Sequence, residues 1–128
     1  MIDFSTEIES LIKNALNCFK SANEYEINSI DDLNKFEINT KLGYVYQIVS
    51  KRDIKYIGKS RGKYFRQRIK SHFLKEYKGT KSKIHRVKEE NGNVKLKFIE
   101  LKPESVRNLI EEELISRLTD QKSWNYKK

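Results

Sequence analysis

The stretch from residue 43 to residue 58, which reads GYVYQIVSKRDIKYIG, decides the fold. It begins and ends with runs rich in β-branched and aromatic residues, and charged turn residues separate the two runs. This pattern predicts two antiparallel strands joined in a hairpin. A three-residue loop at 50–52 would place Tyr46 directly opposite Tyr56. The two phenols would then lie on one face of the hairpin, which favours a polar site there.

Hydrophobic periodicity outside the hairpin predicts the remaining elements. Thr6 and Glu9 have the spacing of a capping box, which predicts a helix start. The predicted helices cover residues 6–20, 64–77 and 104–118, with shorter ones near 31–33 and 81–90, and a third strand covers 94–101. We therefore expect an α+β fold with a small three-stranded antiparallel sheet flanked by helices. Residues 1–42 would form an acidic helical N-terminal extension, and residues 43–128 a second domain.

The composition excludes several classes of protein. The chain has 128 residues, of which 37% are hydrophobic and 35% charged, and no apolar run is long enough to cross a membrane. Its single cysteine, Cys18, excludes an internal disulfide and a cysteine-based zinc site, and we expect Cys18 to be a core residue of a helix. We expect a cytoplasmic protein of modest size with no membrane partner.

The positive charge is concentrated in the middle of the chain. Residues 41–88 contain 16 basic and 2 acidic side chains, whereas residues 1–40 contain 3 basic and 8 acidic ones. So dense a local excess of positive charge is self-repelling unless a polyanion binds that surface. Aromatic residues such as Tyr64 and Phe65 are interleaved with the charges, which favours a nucleic-acid partner.

Two further groups of residues could carry chemistry. Arg68 and His72 are four residues apart, so they share a helix face beside an apolar stripe and can line a cleft between helix and sheet. Helical spacing also places Glu111 and Glu113 on the apolar arc of the last helix, whereas Glu112 points away. A carboxylate on such an arc is costly unless it is paired or holds a metal ion. The spacing alone leaves both Glu111 and Glu113 as candidates.

Taken in order, five short motifs resemble those of the GIY-YIG nuclease family. They are Tyr-Val-Tyr at 44–46, Tyr-Ile-Gly-Lys at 56–59, Arg-x-x-x-His at 68–72, Glu-x-x-Leu-Ile at 111–115 and Trp-Asn at 124–125. The resemblance covers roughly residues 43–125. One departure is Tyr44, which stands where the family usually has glycine, with Gly43 one position early.

The resemblance implies divalent-metal-dependent cleavage of DNA phosphodiester bonds, with one Mg²⁺ or Mn²⁺ ion per site. It implies that Glu111 is the metal ligand, which selects it over Glu113. Tyr46 would act as the general base or activate the attacking water, while Tyr56 and His72 would position that water or a phosphate oxygen and assist proton transfer. The other implied or candidate residues are Arg68 for the charge on the phosphate, Asn125 for ordering the site, and Lys59, Arg61, Lys63, Arg66 and Lys70 for binding DNA.

The alternative hypothesis is a non-catalytic basic nucleic-acid-binding module derived from a nuclease. It predicts binding that weakens steeply with salt and no strand cleavage. Within the nuclease hypothesis, the small size favours a compact restriction-type or phage-type endonuclease. Because one site cuts one strand, a double-strand break would require two subunits, and we expect a homodimer. The acidic N-terminal segment could supply the dimer contact or pack against the basic region, and we hypothesise the first.

Overall fold

The computed structural model describes residues 1–50, 53–73, 76–77, 80–81 and 94–117. Its elements in chain order are helix α1 (Ser5–Ser21), strand β1 (Tyr25–Glu26), a 3-10 helix (Ile30–Asn34), β2 (Gly43–Ser50), β3 (Asp53–Arg61), α2 (Gly62–Phe73), β4 (Glu76–Tyr77), β5 (Thr80–Lys81), β6 (Val94–Leu101) and α3 (Glu104–Arg117). The α+β class is confirmed. The short helix predicted over 81–90 falls almost entirely outside the described residues.

The main sheet has four antiparallel strands in the order β1-β6-β2-β3, so the prediction of three strands was wrong by one. The additional strand, β1, is only two residues long and pairs with the outer edge of β6. It carries no periodic signal of its own, and its position follows from side-chain packing, since the Tyr25 ring stacks on Phe98 with centroids 5.7 Å apart. β4 and β5 form a separate two-stranded pair.

The register of the hairpin differs from the predicted one. Ser50 pairs with Asp53, so only two residues separate β2 and β3, and Tyr46 lies opposite Gly58 and not opposite Tyr56. A bulge between Ile48 and Val49 adds one residue to β3 and shifts the pairing by one position. Without this bulge, Tyr46 and Tyr56 would lie on opposite faces of the sheet. The bulge therefore preserves the predicted shared face although the predicted loop length was wrong.

The two faces of the sheet carry two separate hydrophobic cores. On one face α2 and the 3-10 helix cover the even-numbered residues of β2, including Tyr44 and Tyr46. On the other face α1 and α3 pack against Val45, Ile57 and Ile99. Strands β2 and β3 are therefore packed against helices on both faces of the sheet, and β3 is the strand at its edge.

The N-terminal residues contribute to both cores. α1 buries Ile12, Ala15 and Phe19 against the sheet and α3, as the helical periodicity predicts. The capping-box prediction was wrong, because α1 begins after Phe4 and the side chain of Asp3 accepts hydrogen bonds from Ser5. Cys18 is exposed and does not lie in the core, because it falls between the buried positions of the helix. Within the described residues, no helix is long and apolar enough to span a membrane.

Phe65 joins α2 to the sheet, and its replacement should be the most costly of the changes to that core. The side chain is fully buried and its ring contacts those of Phe36, Tyr44, Tyr46 and Phe98. We expect Phe65→Ala to lower the free energy of unfolding by about 3–5 kcal/mol, measured by urea denaturation.

The neighbouring Tyr64 provides a matched control, since it is an aromatic residue on the same helix and half exposed. We expect Tyr64→Ala to change the free energy of unfolding by less than about 0.5 kcal/mol. Equal effects of the two substitutions would contradict the packing described here.

Candidate active site

Tyr46 lies across the sheet toward its open edge because Gly58 has no side chain. A Cβ atom added at Gly58 would come within 2.5 Å of both Cζ and the hydroxyl oxygen of Tyr46, and within 2.9 Å of the Tyr56 ring. The phenol of Tyr46 thus occupies the space above Gly58, which is its direct cross-strand partner. This close approach explains why glycine follows Tyr56-Ile57 at the edge strand.

The hydroxyl of Tyr46 forms hydrogen bonds with two side chains of α2. It lies 2.8 Å from Nε2 of His72, and Nε of Arg68 donates to it over a longer distance of 3.4 Å. Because Arg68 can only donate, the proton of the Tyr46 hydroxyl is available for His72. When the Tyr46 hydroxyl donates, Nε2 of His72 is the acceptor and the neutral imidazole carries its proton on Nδ1.

Burial keeps both members of the Tyr46–His72 pair neutral. Burial raises the pKa of Tyr46 far above its usual value, Tyr56 and, to a smaller extent, Glu111 raise it further, and Arg68 lowers it. Burial lowers the pKa of His72 to about 4, and the positive charge of Arg68 lowers it further. The resting pair is therefore a phenol that donates to an uncharged imidazole.

Tyr56 completes a cluster of rings on this face. Its ring centroid lies 5.0 Å from that of His72 and 6.1 Å from that of Tyr46. It also interacts with Arg68, whose guanidinium pKa is raised first by the hydrogen bond to Tyr46 and to a smaller extent by Tyr56. The four residues Tyr46, Tyr56, Arg68 and His72 thus meet as the sequence predicts.

A second group of residues reaches the same edge from the opposite face of the sheet. Lys59 of β3 points toward α3, where its Nζ donates to Oδ1 of Asn108 at 2.7 Å and lies 3.9 Å from Oε1 of Glu111. Asn108 precedes Glu111 by three residues and shares its helix face. Sequence reasoning did not single out Asn108, although this spacing from Glu111 was available as a signal.

Glu111 carries a charge that its surroundings compensate only in part. Its side chain is 16% exposed, and burial raises the pKa of its carboxyl group despite the opposing attraction of Lys59 and Arg68. Its charge also reaches Tyr46, on the other face of the sheet. Glu113, by contrast, lies 3.7 Å from Arg117, a residue that also pairs with Glu9 of α1. The structure therefore places Glu111, and not Glu113, beside Lys59 at the edge strand.

Residues 42–126 match the sequence profile of the GIY-YIG catalytic domain. This match covers about two thirds of the chain and includes both faces of the edge just described. The chain belongs to the GIY-YIG family. Membership makes it a nuclease domain, a hydrolase in general terms. No significant match was found among curated proteins or among solved structures.

Tyr44, which stands where the GIY-YIG family usually has glycine, lies two residues before Tyr46 on the same strand. Tyr44 is buried beside Phe65, its hydroxyl donates to Oε2 of Glu100 at 2.8 Å, and it accepts a hydrogen bond from the backbone of Asn39. Its polar group therefore faces away from His72 and Arg68 into a separate set of hydrogen bonds. Tyr44 has a packing role here and leaves Tyr46 in place.

The remaining predicted site residues of the GIY-YIG domain are spread more widely. Arg66 points toward the 3-10 helix, where it donates to the backbone carbonyls of Leu33 and Phe36, and so the structure does not bring it to the cluster. Arg61 and Lys63 are exposed near the start of α2, and Lys70 is exposed further along it. Asn125 lies outside the described residues, so its predicted role stays a prediction.

The residues at this edge fit a divalent cation that takes one carboxylate from the protein and its other oxygen ligands from water and the substrate. Among the described residues, no three His, Cys, Asp or Glu side chains lie together as a metal site. Glu111 nevertheless offers a largely buried carboxylate whose charge is incompletely neutralised. Mg²⁺ is often held by one or two carboxylates, with water and substrate phosphates as its other ligands.

The lowered pKa of His72 makes the stability of the GIY-YIG domain dependent on pH. Because the folded-state pKa of about 4 lies below the usual 6.5, the unfolded chain takes up the proton first. The stabilisation is thus complete above pH 6.5 and is lost as the pH falls toward 4. Between pH 7 and pH 5 we expect the parent chain to lose about 2 kcal/mol more of its free energy of unfolding than the His72→Gln variant. Urea denaturation at the two pH values measures this difference, and equal losses would contradict the assignment of a neutral His72.

Proposed function

We propose that the chain is a divalent-metal-dependent endodeoxyribonuclease that hydrolyses phosphodiester bonds by water attack assisted by Tyr46. One observation carries the proposal. Tyr46, Arg68 and His72 lie together on one face of the sheet, at the edge strand that contains Gly58, and Glu111 lies beside Lys59 of the same strand on the other face. Arg68 lowers the pKa of the Glu111 carboxyl, and Glu111 slightly raises that of Tyr46, which supports the action of these residues on one bound group.

The choice of DNA as substrate is supported by the charge around this edge. The elements that carry most of the cluster, β2, β3 and α2, contain seven basic side chains and one acidic one. Phosphate contacts from such a surface would provide most of the affinity and would make it strongly dependent on salt.

The hydrogen bonds around Tyr46 suggest how it acts as a base although its pKa is raised. Burial disfavours a free phenolate, so the phenol has to lose its own proton as it gains another. His72 is placed to accept the phenol proton at Nε2, while the Tyr46 oxygen takes a proton from the attacking water. The water oxygen then forms its bond to phosphorus as the bond to the leaving oxygen breaks; the leaving oxygen takes up a proton from solvent, and His72, whose pKa is low, releases one to solvent. No charged tyrosine accumulates along this path.

Arg68 contacts Tyr46 in the free protein and would contact the phosphate in the complex with DNA. In the free protein its Nε donates to the Tyr46 oxygen, and its guanidinium also interacts with Tyr56, although the residue is exposed. A bound phosphate offers a guanidinium a stronger, charged acceptor than a phenol does. We infer that Arg68 moves onto the phosphate when DNA binds, which exposes the Tyr46 oxygen to water and stabilises the charge that builds up on the phosphate.

Glu111 is the residue that would hold the divalent ion, with Mg²⁺ or Mn²⁺ as the expected cofactor. When bound, such an ion supplies Lewis-acid stabilisation of the charge on the phosphate and on the leaving oxygen. Lys59 is held by Asn108 beside the same carboxylate, so it can contact a phosphate oxygen while Glu111 binds the ion. Tyr56 lies beside His72 and would position the water or a phosphate oxygen.

A plasmid assay tests the proposed function. We expect the chain to convert supercoiled plasmid into nicked or linear DNA with Mg²⁺ or Mn²⁺, and we expect excess EDTA to abolish the conversion. Binding of the same DNA, measured by fluorescence anisotropy in EDTA, serves as the control that the protein is folded. DNA binding without cleavage at any divalent metal concentration would instead support a non-catalytic binding module.

A further inference from the structure

A basic cavity lies at the far end of the β2–β3 hairpin, away from its turn. It has a volume of about 540 Å³ and lies between the start of α2 and the start of α3. Five of its lining residues are basic and one is acidic, which are Lys41, Arg61, Lys63, Lys102 and Arg107 against Glu104. None of the residues of the Tyr46 cluster lines it. The cavity is therefore a separate positively charged site.

Arg107 distinguishes this cavity from an ordinary basic surface. The residue is only 6% exposed, and a Cβ atom added at Gly43 would come within 1.6 Å of its guanidinium. The absence of a side chain at Gly43 thus makes room for the Arg107 guanidinium beside the first residue of β2. Sequence reasoning missed Arg107, because a charged residue at a buried helix position carries no periodic signal.

The charge of Arg107 is poorly compensated within the described part of the chain. Its Nε is buried and has no hydrogen-bond partner there. Its nearest carboxylate is Glu104, at 3.4 Å, and this half-exposed group is shared with Arg61 at 3.6 Å. A buried cation is costly unless an anion and full hydrogen bonding compensate it. The arrangement therefore favours an additional anion in the cavity.

The position of the cavity indicates which anion it would take. Gly43 lines the cavity and lies three residues before Tyr46 in the same strand. The Cα atoms of these two residues are therefore about 10 Å apart. A DNA strand that crosses the Tyr46 cluster carries further phosphates within this distance on either side. Both α2 and α3 begin at the cavity, and their N-terminal ends add partial positive charge.

We propose that this cavity is a second phosphate site, which holds a backbone phosphate of the DNA whose scissile phosphate lies at the Tyr46 cluster. The site rests on the proposed nuclease function for its substrate. It fixes the direction and position of the strand through Arg107, with Lys41 and Lys102 at the rim. Such a contact affects binding of the DNA and leaves the chemical step unchanged.

A double substitution at the rim tests the site without disturbing the buried Arg107. Lys41 and Lys102 are both exposed, so we expect Lys41→Gln/Lys102→Gln to fold normally. Its affinity for a DNA duplex in EDTA should fall about tenfold, as expected for the loss of about one charge-assisted hydrogen bond. The slope of log affinity against log salt should decrease in magnitude by about one. In the cleavage assay, KM should rise while kcat is unchanged.

The matched control is Lys13→Gln/Lys20→Gln, which removes the same charge from exposed positions of α1. We expect it to leave the salt slope unchanged. Equal changes in the two double variants would overturn the second site, because they would reflect net charge alone. Since binding is measured without metal, a chain that never cleaves DNA but loses affinity only in the cavity variant would overturn the proposed function and leave the phosphate site standing.

An NMR titration distinguishes DNA from a small anion. The buried Nε–H of Arg107 should give a resolved signal, and we expect a short DNA duplex to shift it at micromolar concentration. Inorganic phosphate should shift the same signal only at millimolar concentration. A shift that saturates with micromolar phosphate but is absent with the duplex would overturn the assignment to DNA, and no shift with either ligand would overturn the site.

Discussion

Glu111→Gln should reduce the rate of plasmid cleavage by about a thousandfold or more. The substitution preserves the size of the side chain but removes the charge that would hold a divalent ion, and Lewis-acid stabilisation contributes several kcal/mol to such reactions. The rate of nicking under saturating Mg²⁺ measures the effect. Burial of the Glu111 carboxyl is incompletely compensated in the free chain, so the amide should not destabilise the fold.

The adjacent acidic residues provide the controls for Glu111. Glu112 is exposed, and Glu113 interacts with Arg117 on the side of α3 that faces α1. We expect Glu112→Gln and Glu113→Gln to cleave at close to the parental rate. A Glu111→Gln variant that also cleaves at the parental rate would exclude Glu111 as the metal ligand.

Tyr46→Phe should reduce the cleavage rate by about 10²- to 10⁴-fold, the range typical of a lost general acid–base group. The ring stays in place above Gly58, and only the hydroxyl that contacts His72 and Arg68 is removed. DNA binding in EDTA should change little, because the phosphate contacts come from other side chains. A quenched-flow or gel assay under single-turnover conditions measures the chemical step.

Tyr44→Phe is a closely matched control for Tyr46→Phe. Both tyrosines are buried on the same face of β2, and both hydroxyls form hydrogen bonds, but that of Tyr44 binds Glu100 and Asn39. Loss of either hydroxyl should cost about 1–3 kcal/mol of stability. Only the Tyr46 change should affect catalysis below the melting temperature, and a similar loss of rate in both variants would indicate that the effect is structural.

Sequence reasoning predicted the central hairpin and the helices that flank it because these have strong periodic patterns. The helix over 6–20 and the strand over 94–101 match α1 and β6 to within a residue. The helix over 64–77 was displaced, since α2 begins at Gly62 and ends at Phe73. Such boundaries depend on tertiary contacts, for example the hydrogen bond from the Gly62 backbone to Leu42.

The features that sequence reasoning missed are those that arise from contacts between distant residues. The bulge in the hairpin places Tyr46 and Tyr56 on the same face of the sheet, and no local sequence pattern predicts this bulge. Arg107 enters a space that Gly43 leaves open, which requires knowledge of how α3 packs on the sheet.

The candidate site was predicted in part from spacing and in part from resemblance. The helical spacing of Arg68 and His72 indicated a cleft beside the sheet, and the structure places both at Tyr46. Spacing left Glu111 and Glu113 open, and the three-dimensional position of Lys59 separates them. The catalytic roles of these residues stay predictions until they are measured.

One ion and one phosphate should bind at the edge of β3, between Glu111 on one face of the sheet and Tyr46 on the other. Anomalous diffraction from crystals of the chain grown with Mn²⁺ and a short DNA duplex tests this claim most directly. We predict a manganese peak in direct contact with the Glu111 carboxylate and with a DNA phosphate that Arg68 also binds. Manganese bound elsewhere, with Glu111 still beside Lys59 and no phosphate near Tyr46, would contradict the claim.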